Sequence, residues 1–357
     1  MSVYKNEKTG KWYAIFRFTD WQGIKKQKKK EGFKTKREAQ EYEREFLLKE
    51  TSSPDMLFSS LVDLYMQDIT TRIRSTTLET KRNIINNHVL PYFQDKKINE
   101  ITAADVRRWQ NKLISNGYSQ TFIKTVHNQL SAILNYAARY HNLSHNAARD
   151  AGSVGKKKAD RVSFWTPEEF NTALSFLDEH DYITKISFET LFWTGMRQGE
   201  LFALTQSDID FSRRTISITK TLARLQSGEI VINKPKTETS ERVVEIPQFL
   251  CDEIKEYIAR FPEPLKKGDR VFQISKSGLA RKLTAIARKA DLPHIRVHDL
   301  RHSHASMLID LGFSALMVKE RLGHQNIETT LETYSHLYKT KNQELMDKMT
   351  EINKKFE

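Results

Sequence analysis

Two short polar segments divide the apolar residues of this chain into three groups, which argues against a single core. One segment is Thr51–Pro54, and the other is a small, basic stretch over residues 151–162. At roughly 150 residues per domain, a length of 357 also favours two or three domains. We therefore expect domains over residues 1–50, 54–150 and 163–357, joined by the 151–162 linker. Glycine (13) and proline (8) are sparse, which favours helices over low-complexity disorder.

The charge balance indicates a polyanionic partner. Lys and Arg number 58 against 45 Asp and Glu, so the net charge is +13. Nucleic acid is the first candidate, although a membrane surface or plain solubility would give the same balance. Cys251 is the only cysteine, which excludes an intrachain disulfide and a cysteine-based zinc site. Because no apolar run approaches about 18 residues and residues 1–11 lack an apolar leader, we expect a cytoplasmic protein with no membrane partner.

The first group of residues predicts a small sheet followed by a helix. Trp12–Phe18 is aromatic and β-rich, and Gln22–Gly23 marks a turn after it. Thr35 and Glu38 match a capping box, so a helix is predicted over Thr35–Lys49.

Residues 1–37 hold 12 basic and 3 acidic side chains, which is most of the surplus charge of the chain. Lysines that protect a sheet edge are one interpretation. The density favours another, in which the sheet presses lysines and aromatic rings against DNA. The predicted DNA-binding residues here are Lys25, Lys26, Lys28, Lys29 and Lys30.

The second group has helical periodicity throughout. Apolar residues recur at helical spacing in four stretches that together span fewer than 100 residues. Four amphipathic helices bury their apolar faces best in a bundle, and nothing in this group looks catalytic. The linker that follows carries Lys156, Lys157 and Lys158, which could lie along phosphates or belong to a plain tether.

The third group is mixed. Thr166 at the N-cap and Pro167 at the first helical position predict a helix start, and helices dominate afterwards. Alternating residues predict short strands over 215–218, 229–232 and 242–246, which would form a small antiparallel sheet inside a helical domain.

Five short motifs in this third group occur in a set order. They are TGMRQGEL, the PKT turn between two strands, HDLRHSHA, LGH and ETYSH. Together they resemble the active-site signature of the tyrosine recombinases, the phage integrase family. The residues that carry the resemblance are Arg197, Lys236, His298, Arg301, His324 and Tyr334.

The chemistry of DNA strand cleavage explains these residue types. In-line attack on a phosphodiester adds negative charge to the nonbridging oxygens, and two guanidiniums, Arg197 and Arg301, can neutralise it without a metal. A tyrosine oxygen can serve as nucleophile, but a pKa of about 10 leaves it roughly 0.1% ionised at pH 7. It needs a base or a strong positive field, and His298 is a candidate base. The leaving deoxyribose oxygen needs a proton, which a lysine on a hairpin turn can deliver.

Several alternatives within the site stay open. The resemblance assigns the proton donor to Lys236, but Lys234 is two residues away and Lys220 lies nearby on a predicted strand. Tyr338 is a second tyrosine close to Tyr334. Glu200 could orient Arg197 or could simply compensate a helix dipole. His298, His302 and His304 could suggest zinc, but no HExxH pattern accompanies them, so His302 and His304 are interpreted as packing or supporting residues and no metal or cofactor is expected.

The resemblance implies a multidomain, mainly α protein with three parts. These are an arm-type DNA-binding domain of a small sheet plus a helix, a four-helix, SAM-like core-binding bundle, and a mixed α/β catalytic domain. The implied function is integration and excision of a mobile element through a 3′-phosphotyrosine intermediate and a Holliday junction. Implied partners are double-stranded DNA, three further copies in a tetramer, an excisionase and a DNA-bending host protein. The expected location is the bacterial cytoplasm, at the nucleoid when bound to DNA.

Two other functions, and two ways of packing the tail helix, stay open. The alternatives are a type IB topoisomerase-like DNA relaxer and a DNA-binding regulator on a recombinase scaffold. The basic first domain argues against the relaxer, and six intact candidate residues argue against the regulator. Residues 341–357 predict a tail helix that packs on its own domain or, as the resemblance implies, on a neighbouring copy.

Overall fold

The computed structural model describes residues 3–7, 9–19, 25–51, 55–156, 163–235, 238–266, 268–328, 330–331, 333–334, 346, 349–350 and 352. The chain forms two compact units, Met1–Ala159 and Asp160–Glu357. Helices dominate the described residues and the sheets are small and antiparallel, which confirms the predicted fold class.

The chain begins with a three-stranded antiparallel sheet covered by one helix. The strands are β1 (Val3–Lys5), β2 (Trp12–Thr19) and β3 (Lys25–Phe33), in the order β1-β2-β3, and α1 is Lys36–Thr51. Ala14 and Phe16 of β2 are buried with Ala39 of α1. Glu38 donates its backbone N–H to Thr35 Oγ1 at 3.2 Å, which confirms the predicted cap. The predicted turn at Gln22–Gly23 lies outside the described residues.

A helical bundle with its own apolar core follows, as predicted. Its elements are α2 (Phe58–Thr70), α3 (Ser75–Ile84), α4 (Leu90–Phe93), α5 (Ala103–Ser115), α6 (Gln120–Tyr140) and α7 (Ala147–Asp150). A π-helical turn, Ile85–Val89, joins α3 to α4, and Pro91 is the second residue of α4. Proline cannot donate the next helical hydrogen bond, so the wider turn lies where the regular ladder would fail.

The second unit carries seven α-helices and five strands among its described residues. The helices are α8 (Pro167–Leu174), α9 (Tyr182–Thr194), α10 (Gln198–Ala203), α11 (Gln248–Ala259), α12 (Lys276–Lys289), α13 (Asp299–Asp310) and α14 (Ala315–Leu322). The longer strands are β5 (Thr215–Ile218), β6 (Thr221–Arg224), β7 (Ile230–Asn233) and β8 (Arg242–Glu245), and β4 is the two-residue Ile209–Asp210. Thr166 caps α8 through a capping box with Glu169, as predicted.

The strands of this unit form two sheets instead of the single sheet predicted. One has the order β4-β5-β8, and the other is the β6-β7 hairpin. The Thr221–Arg224 strand was not predicted, because Thr-Leu-Ala-Arg lacks a clear alternation of apolar and polar residues. β7 (Ile230–Asn233) pairs with β6 instead of with β8. The segment that begins at Lys234 therefore connects two different sheets.

Trp165 anchors the start of this unit to α13. Its indole is fully buried, its backbone N–H donates to Ser303 Oγ at 2.9 Å, and its ring N–H donates to the Pro293 carbonyl at 2.9 Å. Because α13 begins directly after His298 and contains Arg301, this anchor fixes the helix that carries two predicted site residues.

Candidate active site

A left-handed glycine places Arg197. Gly195 ends α9 with φ of 65°, and a Cβ at this position would lie 2.6 Å from His304 Cδ2. Only glycine fits both the backbone and the space. The chain then turns so that Arg197 is the N-cap of α10.

A buried carboxylate holds Arg197 in place. Glu200 Oε1 accepts a hydrogen bond from the Arg197 guanidinium at 2.8 Å, and Oε2 accepts one from the Arg197 backbone N–H at 2.9 Å. Glu200 Oε2 also accepts from the Arg242 guanidinium at 3.0 Å. Burial alone would raise the pKa of Glu200, but the charges of Arg242 and Arg197 bring it below its ordinary value. Glu200 therefore makes the orienting contact that the sequence left open.

Arg301 is almost fully buried and points two donors at main-chain carbonyls. Its guanidinium donates to the Gly195 carbonyl at 2.7 Å and to the Leu322 carbonyl at 2.7 Å. Burial, followed by the charge of Arg197, lowers the pKa of Arg301 to about 9, which still leaves it charged at neutral pH. The TGMR turn, α13 and the LGH turn therefore meet at this guanidinium.

Two predicted histidines lie within the field of these arginines. Burial, then the charge of Arg301, lowers the pKa of His298. The same two causes lower the pKa of His324 to about 3, and Arg197 contributes to both shifts. His324 Nδ1 is 2.9 Å from Thr330 Oγ1. Both rings are therefore neutral near pH 7 and can donate hydrogen bonds.

The side chain of Tyr334 is buried beside α13 and α14. Its ring belongs to an apolar cluster that includes Ile309 and Leu322. The hydroxyl oxygen lies 2.6 Å from His302 Nδ1. Burial raises the pKa of Tyr334 above its ordinary value, and the charge of Arg301 only partly opposes this. The structure therefore brings together Arg197, His298, Arg301, His324 and Tyr334, and it adds His302 to them.

The proton donor suggested by the resemblance, Lys236, lies outside the described residues, and so does Tyr338. Lys220 is described and lies in the connection between β5 and β6 instead of on a strand. Its ammonium is 2.7 Å from Asp208 and donates to Thr205 Oγ1 at 3.0 Å. Lys220 is thus already held by a carboxylate.

The sequence alone does not assign Arg242 or His302 to this site. Arg242 is buried, contacts Glu200, and donates to the Arg321 and Ser240 carbonyls at 2.9 and 3.1 Å. No local sequence pattern indicates the role of Arg242, because its partners Glu200 and Arg321 are distant in the chain. His302 was noticed as one helical turn from His298 but was interpreted as a packing or supporting residue, since its tyrosine partner is 32 residues away.

The first-domain lysines divide between the two faces of their sheet. Phe16 and Phe18, which share the helix-covered face, lie opposite Lys28 and Lys26, while Ile15 lies opposite Lys29. Cross-strand partners project from the same face of a sheet. The open face therefore carries Tyr13, Ile15, Arg17, Lys25 and Lys29, and the lysines of the other face are Lys26, Lys28 and Lys30.

Of the three predicted linker lysines, the structure describes only Lys156, whose side chain is exposed. Lys157 and Lys158 lie outside the described residues. Among the described residues, no group of three or more His, Cys, Asp or Glu is arranged to hold a metal ion. No helix in the described part of the chain is both long and apolar enough to cross a membrane.

Comparison with protein families and relatives agrees with this geometry. Three family models match: the phage integrase family over residues 163–341, the phage integrase N-terminal SAM-like domain over 57–114, and an arm DNA-binding domain over 2–49. The ICEBs1 integrase of Bacillus subtilis is 30% identical over 312 residues, which cover 84% of each chain. The integrase of Staphylococcus phage L54a is 24% identical and covers 83% of this chain and 93% of its own.

Two solved structures share the fold. The Tn1549 transposon integrase in complex with transposon right end DNA has a TM-score of 0.68 and 20% identity, and covers 78% of this chain and 95% of its own. A lambda integrase dimer bound to a COC′ core site has a TM-score of 0.61 and 16% identity, and covers 93% of this chain and 94% of its own.

Fold, site and relatives together define a DNA strand transferase that performs site-specific recombination. The chain belongs to the phage integrase family of tyrosine recombinases. The relaxer and regulator alternatives are not favoured, because the relatives are integrases.

Proposed function

We propose that this chain cleaves one DNA strand with Tyr334 and conserves the bond energy in a 3′-phosphotyrosine link. The phenol oxygen forms a bond to phosphorus, and the bond to the 5′ oxygen breaks. A free 5′-hydroxyl of another strand then reverses the step, so religation needs no ATP. Two such exchanges, through a Holliday junction, would integrate or excise a mobile element. The placement of the Tyr334 hydroxyl beside α13, close to Arg301, is the observation that supports this most strongly.

Arg197 and Arg301 would neutralise the charge that develops on the nonbridging oxygens. Both are held by contacts within the protein, Arg197 by Glu200 and Arg301 by two carbonyls. Side chains fixed in advance need little reorganisation in the transition state, which makes such donors effective. His298 and His324 are neutral in the same field and would donate hydrogen bonds to the phosphoryl oxygens.

Lys236 would give a proton to the leaving oxygen. The occupied ammonium of Lys220 supports this choice, because a lysine paired with Asp208 would have to break an ion pair to act. The segment that contains Lys236 follows β7 and precedes the short 3₁₀ turn Glu238–Ser240, which leads to β8 and the buried Arg242.

The other units would hold the DNA. The bundle and the catalytic unit would bind core sites on double-stranded DNA, and the first domain would bind separate arm sites. Its open sheet face, with Arg17, Lys25 and Lys29, suits contact with phosphates and bases. Four copies would form the synapse, with excisionase and a DNA-bending protein as accessory partners. Met346, Met349 and Ile352 are exposed by half or more, which suits a tail that docks on a neighbouring copy.

The decisive experiment uses a nicked core-site duplex from which the cleaved strand end diffuses away. The parent protein should form a covalent adduct with DNA, and Tyr334→Phe should form none while it still binds the duplex. Tyr338→Phe serves as the matched control and should retain the adduct. A parent that binds but never forms the adduct would support the regulator, and an adduct retained by Tyr334→Phe would disprove the assignment of the nucleophile.

A further inference from the structure

A hydrogen bond links Tyr334 to His302, a histidine that is not among the six residues that carry the family resemblance. The Tyr334 hydroxyl and His302 Nδ1 are 2.6 Å apart, and the planes of the two rings are inclined at 58°. A phenol is the better donor, so the O–H donates to Nδ1 and the ring proton sits on Nε2. This is within the distance over which a general base can remove a proton.

The surroundings make this contact specific. His302 lies in the first turn of α13 and His298 directly precedes that helix, with their ring centroids 5.5 Å apart and the ring planes nearly perpendicular. Among the described residues, His302 is the only one whose side chain forms a hydrogen bond with the Tyr334 hydroxyl. The tyrosine ring packs in the apolar cluster with Ile309 and Leu322, which positions its hydroxyl beside His302.

We propose that His302 is the general base of the cleavage step and removes the proton of the Tyr334 hydroxyl as the phenol oxygen attacks phosphorus. The O–H bond breaks and an N–H bond forms at Nδ1. The phenol oxygen gains its bond to phosphorus, and the 5′ oxygen leaves with a proton from Lys236. During religation the imidazolium returns its proton to the phenol. This assignment depends on the proposed function, because it requires Tyr334 to be the nucleophile.

Burial of both side chains favours the form in which the proton stays on Tyr334. Burial, then His298, lowers the pKa of His302 to about 4, while burial raises the pKa of Tyr334. Proton transfer is therefore unfavourable in the free protein. A bound phosphodiester brings a negative charge between these groups and the guanidiniums, which favours the imidazolium. The charged or titratable groups that face His302 are Asp299 and Arg301 on its own helix, Arg296 and His298 before the helix, and His324 and Tyr334.

The test compares His302→Gln with His298→Gln in single-turnover cleavage of the nicked duplex from pH 7 to pH 9, with the protein saturating. Glutamine can still accept a hydrogen bond from Tyr334, but it cannot serve as a base. At pH 7 His302→Gln should be slower than the parent by about 100-fold or more, as expected for loss of general base catalysis. Its rate should then rise by up to tenfold per pH unit, because the phenol must ionise beforehand, whereas the parent rate stays level.

His298→Gln should be slowed by a similar factor at every pH, because its proposed role is to contact the phosphoryl oxygens. His180→Gln, at an exposed position, should match the parent. A His302→Gln rate equal to the parent rate, or lowered by one constant factor across the range, would overturn the proposal. Affinity for the core site reports whether each variant is folded. A failure of Tyr334→Phe to lose the adduct would contradict the proposed function itself, which separates the two ideas.

Discussion

The guanidinium of Arg242 and the carboxylate of Glu200 form an ion pair of 3.0 Å in which both side chains are more than nine-tenths buried. Glu200 also binds Arg197, and Arg242 also binds the carbonyl of Arg321, which precedes the LGH turn. The pair therefore connects the turn that carries Arg197 with the segment that carries His324. Loss of the Glu200 carboxylate would leave the buried Arg242 guanidinium without its negative counter-charge.

Glu200→Gln should lower the free energy of unfolding of the catalytic unit by about 3–5 kcal/mol, the usual cost of breaking a buried ion pair. The matched change is Glu256→Gln, whose partner Arg260 is 2.5 Å away in an exposed pair. That change should cost much less, because solvent screens the pair. Urea unfolding monitored by tryptophan fluorescence measures both, and equal losses would contradict the importance of burial.

Arg301→Ala should abolish formation of the covalent adduct while it changes affinity for the core site by only a few-fold. Most DNA contacts would lie elsewhere, but the charge on the nonbridging oxygens would lose a fixed partner. The Gly195 and Leu322 carbonyls also lose their donor, so stability should fall by about 1–3 kcal/mol for each. Adduct yield and a gel-shift titration test this, and a large loss of affinity would be the contrary result.

Lys236→Ala should slow cleavage of ordinary DNA by about 10²–10⁴-fold, as expected for removal of a general acid. A substrate whose 5′-bridging oxygen is replaced by sulfur should restore the rate, because a thiolate leaves without a proton. Lys220→Ala should chiefly affect stability through the lost pair with Asp208, and sulfur should not improve its rate. If the sulfur substrate rescues Lys220→Ala or Lys234→Ala instead, the proton donor is that lysine.

Glu189 gives the catalytic unit a pH dependence that is independent of cleavage. It is buried on α9, and burial followed by a hydrogen bond with Glu253 raises its pKa well above the ordinary value. A raised carboxyl pKa means that the folded state holds a proton that the unfolded state releases above about pH 4.3. Stability should therefore fall as the pH rises from about 5 through the raised pKa.

Glu189→Gln should remove this loss, because the amide stays neutral at every pH. We expect the variant to equal the parent near pH 5 and to melt at a higher temperature at pH 8. Thermal unfolding at the two pH values measures the difference. A variant that is less stable than the parent at pH 8 would show that the ionised carboxylate, with Lys185 at 3.5 Å, is the stabilising form.

Arg17→Ala should weaken arm-site binding and reduce the slope of affinity against salt concentration by about one unit, as expected for loss of one phosphate contact. Arg37→Ala, at an exposed position on the helix that covers the other face, is the matched control and should change little. Binding titrations at several salt concentrations distinguish them. A larger effect from Arg37 would place the DNA on the helix side of the sheet.

Local features could be predicted from the sequence, and long-range pairings could not. The caps at Thr35 and Thr166 depend on residues within one turn, so a local pattern is sufficient to predict them. The pairing of β7 with β6 was missed because β6 carries no alternation. The contacts of Arg242 with Glu200 and of His302 with Tyr334 span 42 and 32 residues, and no periodicity encodes which side chains meet at such separations.

The proposed nucleophile Tyr334, the histidine bonded to it and Arg301 all come from one polypeptide, and the tyrosine ring packs against helices of that same polypeptide. Two inactive preparations, one without the phenol oxygen of Tyr334 and one without Arg301, should consequently fail to complement each other when mixed on one DNA substrate. In a mixed assembly the number of strands cut would then equal the number of intact subunits.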